Sequence, residues 1–141
     1  MLSVEVIAVW LQRQCGWIKL VVVVVMMATA AAAIENQFGP IALAVLNGGV
    51  YLPVDSRKPD PALFRRTFEV NLMGVANALA ALVPAMLARK SGQILIVSSA
   101  TGFGGMPTSA AYGASKAALI NMAECLRIEL DPLGVRVQVA T

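Results

Sequence analysis

Three side chains in the second half of the sequence, Ser99, Tyr112 and Lys116, have the types and spacing for proton-transfer chemistry. Residues four apart in a helix lie on the same face, about one turn from each other, as Tyr112 and Lys116 would. A cation beside a phenol favours the ionised form, so this pair predicts a tyrosine that acts as a general acid or base near neutral pH. Ser99 would donate a hydrogen bond to a carbonyl oxygen that faces the tyrosine.

A strand, a loop and a helix are needed to bring these three residues together. Residues 94–97 are an apolar run between Gly92 and two serines, which predicts a short buried strand. A loop rich in glycine, serine, threonine and proline follows, and then a helix from Tyr112 to Leu130. Residues 131–134 end that helix, and alternating valines predict a final strand near an edge of the sheet.

Similar elements precede this segment. Residues 28–37 are rich in alanine and predict a helix that ends at Gly39, and residues 41–46 predict another buried strand. A third helix is predicted over residues 61–90, because Asp-Pro begins it and apolar residues recur every three or four positions. This order of strands and helices is typical of the α/β class, with one half of a doubly wound parallel sheet.

The composition narrows the chemistry that is open to this chain. None of the 141 residues is histidine, which excludes Ser-His-Asp and Cys-His catalysis and histidine-based zinc sites. Cys15 and Cys125 have no spacing typical of a metal or redox site, so we expect no metal. The net charge of +3 comes from scattered basic residues, so we expect no nucleic-acid partner.

Two further features accompany the Ser-Tyr-Lys set, namely a tight Asn-Gly-Gly turn after a predicted strand and an asparagine inside a predicted helix. With a serine thirteen residues before Tyr-x-x-x-Lys, these features resemble the short-chain dehydrogenase/reductase (SDR) family. The matching residues are Asn47, Gly48, Gly49, Asn71, Ser99, Tyr112 and Lys116. The resemblance covers residues 30–141, whereas residues 1–29 diverge from it.

The resemblance implies an oxidoreductase that transfers a hydride between a nicotinamide cofactor, NAD or NADP, and a small-molecule alcohol or carbonyl substrate. Tyr112 would pass the proton, Lys116 would also hold the nicotinamide ribose, and Ser99 would orient the carbonyl. Asn71 would disturb its helix locally and hold a water in a proton relay.

By the same resemblance, Tyr112, Lys116 and the turn Asn47-Gly48-Gly49 would bind the cofactor. The implied fold is a Rossmann-like doubly wound parallel sheet, of which this chain would form the C-terminal half with its flanking helices. Family members often pair through the helices that correspond to residues 61–90 and 112–130, so a homo-oligomer is expected.

The glycine-rich pyrophosphate loop of the SDR family, Thr-Gly-x-x-x-Gly-x-Gly, has no counterpart here, since Gly16 is the one glycine before Gly39. We therefore expect residues 1–141 to form a single incomplete NAD(P)-binding domain, a fragment that also lacks the C-terminal substrate segment. The alternative hypothesis is a non-catalytic remnant that keeps the family's core and binds no dinucleotide.

The first 29 residues allow two interpretations. In the simpler one, residues 3–10 and the valine-rich run 20–27 are strands, and the second of them is buried and covers the sheet edge at residues 41–46. In the other, residues 20–34 are a targeting segment or membrane anchor. That tract is fifteen residues long, which is short of the roughly 17–25 that span a bilayer. We therefore expect a cytoplasmic protein, with membrane association as the alternative.

Overall fold

The computed structural model describes the backbone of residues 16–141 and the side chains of residues 25–141. Four helices and three strands make up the main elements of this part: α1 (Gly16–Phe38), β1 (Leu43–Leu46), α2 (Pro61–Phe68), α3 (Gly74–Ala88), β2 (Gly92–Val97), α4 (Ala110–Leu130) and β3 (Val135–Ala140). A π-helical segment, Glu69–Met73, joins α2 to α3, and single 3₁₀ turns at Ala100–Gly102 and Asp131–Leu133 flank α4.

The three strands form one parallel sheet in the order β1-β2-β3, so β2 lies at its centre. In the register, Leu95 of β2 lies beside Val45 on one side and Gln138 on the other. This confirms the predicted α/β class and, within residues 16–141, the position of the last strand at an edge. Because the strands are parallel, the loops that follow them all leave from the same end of the sheet, where the strands have their carboxyl ends.

The core lies between the sheet and helices α3 and α4. The strands contribute Ile94 and Ile96 from β2 and Val135 and Val137 from β3, each at most 1% exposed. The helices contribute further apolar side chains, among them Val75, Leu79, Met86, Leu119 and Ala123. Since buried residues alternate along each strand, the same face of the sheet meets both helices.

Helix α1 contradicts the predicted strand over residues 20–27. Valine disfavours a helix by only a few tenths of a kcal/mol per residue relative to good helix formers. No glycine or proline interrupts the sequence between Gly16 and Gly39, and α1 packs against α3. The helix ends at Phe38, and the next residue, Gly39, has φ 87° and donates its N–H to Glu35 O at 3.0 Å. The strand predicted over residues 3–10 lies outside the described residues.

The valine-rich run therefore does not extend the sheet. In the part of the chain that the structure describes, β1 pairs with β2 alone, so its other side is a sheet edge. On β1, Leu43 and Val45 are 52% and 53% exposed.

Arg89 joins α1, the start of β1 and the end of α3. Its Nη1 donates to Glu35 Oε1 at 2.7 Å, its Nη2 to Ile41 O at 2.5 Å and its Nε to Ser91 O at 2.8 Å. The Ile41 N–H also donates to Glu35 Oε1, at 3.1 Å. This hydrogen bond, followed by the Arg89 guanidinium, lowers the pKa of Glu35 below its ordinary value.

Among the described residues, the helical stretch Pro61–Ala88 is long and apolar enough to cross a membrane. Its residues Val75, Leu79 and Met86 belong to the core. A place against the sheet therefore accounts for its apolar composition.

Candidate active site

Asn71 lies in the π-helical segment Glu69–Met73 and is fully buried. Its Oδ1 accepts from Val50 N–H at 2.7 Å, and its Nδ2 donates to Val50 O and to Ser115 Oγ, both at 3.0 Å. The expected local disturbance of the helix at Asn71 is present as this segment, a type of helix irregularity that is frequent at functional sites. The side chain thereby fixes the backbone that follows β1 and connects it to α4.

Lys116 is buried, with 3% of its surface exposed, at the carboxyl end of β2. Its Nζ donates to Val97 O at 2.9 Å, and Ser98 Oγ donates to Lys116 O at 2.8 Å. Burial disfavours the charged ammonium and lowers the pKa of Lys116 below its ordinary value. The side chain and the backbone of Lys116 are thus bound to the last residue of β2 and to the residue that follows it.

Tyr112 lies in the first turn of α4, one turn before Lys116. The Lys116 Nζ is 5.7 Å from the centroid of the Tyr112 ring, within the range of a cation–π contact. Ser115 Oγ donates to Tyr112 O at 2.7 Å and also accepts from Asn71. The structure therefore brings Asn71, Tyr112 and Lys116 into one connected group.

Ser99 follows β2 and has extended backbone, with φ −165° and ψ 154°. Its Oγ accepts from Thr101 N–H at 3.3 Å and from Thr101 Oγ1 at 3.0 Å. A hydroxyl carries one proton, and both of these bonds use Ser99 Oγ as the acceptor. Within residues 25–141 the Ser99 proton has no acceptor.

Two glycines let the segment after Ser99 pack directly on α4. A Cβ at Gly102 would lie 2.8 Å from Ile120 Cδ1, and one at Gly113 would lie 3.0 Å from Thr101 O. A side chain at Gly102 would also meet the backbone of Lys116 and Ala117 at 3.1 Å, so a substitution at either position requires the neighbouring atoms to shift. This close packing fixes the position of the segment after Ser99 relative to α4.

The tight turn predicted at Asn47-Gly48-Gly49 is wrong, because the chain has neither a turn nor a bend at residues 47–50. Neither Gly48 nor Gly49 adopts the positive φ that many tight turns require. This segment after β1 lies at the surface, and all three residues are exposed. A Cβ at Gly49 would lie 3.5 Å from both Asn71 Oδ1 and Lys116 Nζ, whereas one at Gly48 would meet nothing within 4 Å. Gly49 is thus the part of this segment that approaches the buried group.

Tyr51 was missed in the sequence. Its ring packs edge-on against the Tyr112 ring, with centroids 5.4 Å apart and an angle of 83° between the planes. The available signal was its position, two residues after Gly49, at the start of the loop that follows a segment expected to bind the cofactor. Ser115 and Val50, the partners of Asn71, were also missed.

Comparison with known proteins identifies the family. The short chain dehydrogenase family model matches residues 22–141. The chain therefore belongs to the short-chain dehydrogenase family, as its motif residues predicted.

Relatives and solved structures agree with this assignment. An "uncharacterized oxidoreductase" of Myxococcus xanthus is 38% identical over 105 residues, which are 74% of this chain and 42% of the relative. The acetoacetyl-CoA reductase of Synechocystis sp. is 36% identical over 110 residues, which are 78% of this chain and 46% of the relative. This chain thus spans less than half the length of both relatives.

Two solved structures share the fold. The NAD⁺-bound xylitol dehydrogenase has a TM-score of 0.76 at 27% identity, covering 80% of this chain and 44% of its own. The apo form of LigO from Sphingobium sp. strain SYK-6 has a TM-score of 0.78 at 30% identity, covering 82% and 43%. The three-stranded parallel sheet and its helices are thus part of a Rossmann-like SDR fold.

Proposed function

We propose that this chain carries the catalytic half of an NAD(P)-dependent oxidoreductase that interconverts an alcohol and a ketone or aldehyde. The observation that carries the proposal is the buried Lys116, whose ammonium lies 5.7 Å from the Tyr112 ring centroid and is anchored to Val97 O at 2.9 Å. A buried cation held beside a phenol suits proton transfer. A buried charge is weak evidence for a contribution to stability, so the stability of the fold does not account for its presence.

Tyr112 and Ser99 would handle the substrate oxygen. In the reducing direction, the Tyr112 hydroxyl gives its proton to the carbonyl oxygen as that oxygen gains negative charge, and in the oxidising direction it takes the proton back. The hydroxyl proton of Ser99 is donated to the same oxygen and holds it in place. The Lys116 ammonium stabilises the negative charge that Tyr112 carries after the transfer.

The nicotinamide end of NAD(P) fits the residues that the structure brings together. Lys116 and Tyr112 supply a cation and a hydroxyl one turn apart, which suits the adjacent hydroxyls of a ribose, and Gly49 leaves the space before them without a side chain. When bound, the cofactor supplies or takes the hydride. Asn47 and Gly48 would contact it from the exposed segment after β1.

The pyrophosphate end of the cofactor has no matching loop in this sequence, where Gly16 is the one glycine before Gly39. We therefore expect this chain by itself to bind NAD(P) more weakly than a family member that has the glycine-rich loop. NMN, which lacks the adenosine half, should lose less affinity here than it would in such a relative.

A cofactor titration tests the proposed function. The purified chain is titrated with NADH and NADPH while nicotinamide fluorescence is followed, beside Lys116→Ala and, as a matched control, the exposed Lys58→Ala. Saturable binding that is weakened by the first substitution and not by the second supports the proposal. A folded sample that binds neither cofactor at millimolar concentration would refute it and favour the non-catalytic remnant.

We also propose that two copies associate through helices 61–90 and 112–130. Support comes from apolar side chains that remain exposed on these helices, including Val70 at 39%, Met73 at 37% and Ile128 at 72%. Light scattering after size-exclusion chromatography measures the mass directly, and a value equal to one chain at micromolar concentration would contradict the association.

A cytoplasmic location is proposed for the same chain. The packing of α1 against α3 supports it, because a helix used within the fold is not available as an anchor. Recovery of the protein in the membrane pellet after cell fractionation would favour the anchor over residues 20–34 instead.

A further inference from the structure

We propose that Tyr51 is a positioning residue for Tyr112, and that the contact between the two rings holds the ring of Tyr112 in place. The two rings meet edge to face, with centroids 5.4 Å apart and planes at 83°. This geometry is favourable for aromatic pairs, because the positive ring edge meets the negative ring face. The catalytic part of this inference rests on the proposed function.

The Tyr51 hydroxyl is itself fixed by a hydrogen bond. Tyr51 Oη and Thr108 Oγ1 are 2.6 Å apart, and Thr108 Oγ1 donates its own proton to Pro107 O at 2.6 Å. Since a threonine hydroxyl has a single proton, Tyr51 is the donor and Thr108 the acceptor. The ring of Tyr51 is therefore held at its hydroxyl end by the loop that precedes α4.

The backbone on both sides of Tyr51 is held as well. Asn71 binds both the N–H and the carbonyl of Val50, and the N–H of the buried Val54 donates to Thr108 O at 2.9 Å. Thr108 has φ 60°, a left-handed conformation that is unfavourable for a β-branched residue. Such a conformation persists only where the surroundings enforce it, which is consistent with the two contacts that converge on Thr108.

These contacts connect the loop after β1 with the loop after β2 beside the ring of Tyr112. The ring of Tyr112 has Tyr51 on one side and the Lys116 ammonium 5.7 Å from its centroid. Tyr51 is 48% exposed, so most of the order at this position comes from its specific contacts rather than from burial in the core. Loss of the Tyr51 ring should leave the backbone of Tyr112 in its helical position while letting the ring of Tyr112 rotate.

Nuclear magnetic resonance tests the positioning without any cofactor. The chain contains two tyrosines, so selective tyrosine labelling gives two sets of ring signals, and Tyr51→Phe assigns them. We expect a nuclear Overhauser effect between the two rings and a clear change in the Tyr112 ring shifts in Tyr51→Leu. Phe103→Leu is the control, since Phe103 is a 72% exposed aromatic residue on the loop after β2. An absent inter-ring effect, or unchanged Tyr112 shifts in Tyr51→Leu, would overturn the inference.

Turnover tests the catalytic part. An edge-to-face pair accounts for about a three- to tenfold change in rate if its loss is felt in full at the reacting geometry. We expect Tyr51→Leu to lower kcat by that factor with KM within about twofold, and Phe103→Leu to retain kcat within about twofold. Tyr51→Phe keeps the ring and loses the hydrogen bond to Thr108, so it should lower kcat less than Tyr51→Leu does. Equal losses in Tyr51→Leu and Phe103→Leu would mean a general structural effect and overturn the role. If the wild type shows neither cofactor binding nor turnover, the proposed function fails, while the ring contact is still decided by resonance.

Discussion

Replacement of Asn71 by alanine should destabilise the fold more than any surface substitution on the same helices. Asn71 is fully buried and makes three hydrogen bonds, two with the backbone of Val50 and one with Ser115 Oγ. Each such bond contributes about 0.5–1.5 kcal/mol net, and more where a polar partner stays buried without a replacement. Val50 is half-buried, so water reaches part of the vacated space, and we expect a loss of about 3 kcal/mol.

Chemical denaturation followed by circular dichroism measures this loss, and a thermal scan should show a midpoint about 10 °C lower. Asn121→Ala is the matched control, because Asn121 is an exposed asparagine on α4. Its substitution should change the free energy of unfolding by less than about 0.5 kcal/mol. Equal values for the two variants would refute the view that the Asn71 side chain holds the segment after β1.

Asn71→Asp separates hydrogen bonding from shape. The carboxylate retains an acceptor for Val50 N–H but presents a second acceptor to Val50 O, where the amide had a donor. We expect this variant to be destabilised at neutral pH and to recover part of the loss at acidic pH, where the protonated carboxyl again donates. A stability difference that is independent of pH would contradict this account.

Three further predictions use matched pairs or pH. Gly134 and Gly39 have φ 88° and 87°, but a Cβ at Gly134 would collide with the backbone oxygen of Lys90, whereas one at Gly39 meets nothing within 4 Å. Gly134→Ala should therefore lower the free energy of unfolding by more than about 3 kcal/mol and Gly39→Ala by about 1 kcal/mol, and equal losses in urea denaturation would argue against the collision. Gly102→Ala places its Cβ 2.8 Å from Ile120 Cδ1 and should cost about 1–3 kcal/mol, while Gly104→Ala meets nothing within 4 Å and should be neutral in a thermal scan. Burial lowers the pKa of Lys116, so the unfolded chain binds the extra proton between the folded and unfolded pKa values, and stability should rise with pH across that window. Lys116→Met should flatten this rise, and an unchanged slope would contradict it.

The order of elements after residue 40 could be predicted because each has a local signal. The buried strand over residues 94–97 is apolar and bounded by glycine and serine, and it is the central part of the observed β2, Gly92–Val97. The helix predicted from Asp-Pro begins at Pro61, where Asp60 caps it by accepting from Ala62 N–H. The predicted strand of alternating valines is β3, Val135–Ala140.

The valine run failed because β-branched composition indicates only a weak local preference, which packing overrides. A better signal was the absence of glycine and proline between Gly16 and Gly39, which favours one continuous element of 23 residues, too long for a typical strand. The length of this uninterrupted segment therefore indicated the helix more reliably than its residue types did.

The site was predictable only in its motif residues. Ser99, Tyr112 and Lys116 follow a spacing along one strand, loop and helix, so their proximity is local in sequence. The contact of Tyr51 with Tyr112 and the hydrogen bond from Tyr51 to Thr108 join loops about sixty residues apart, and their geometry depends on a left-handed backbone at Thr108. No propensity or periodicity in the sequence specifies such a contact.

The Arg89 junction has a consequence for motion. It joins residues that precede β1 and β2, at the amino ends of the strands, and the loops of the site lie at the opposite end. The guanidinium is planar and its donors are rigidly spaced, so a shift of α1 against the sheet would break several hydrogen bonds at once. We expect α1, α3 and the amino ends of the strands to move as one body. Local opening is then confined to the loops at the other end, where a ligand must enter and leave without disturbing the core.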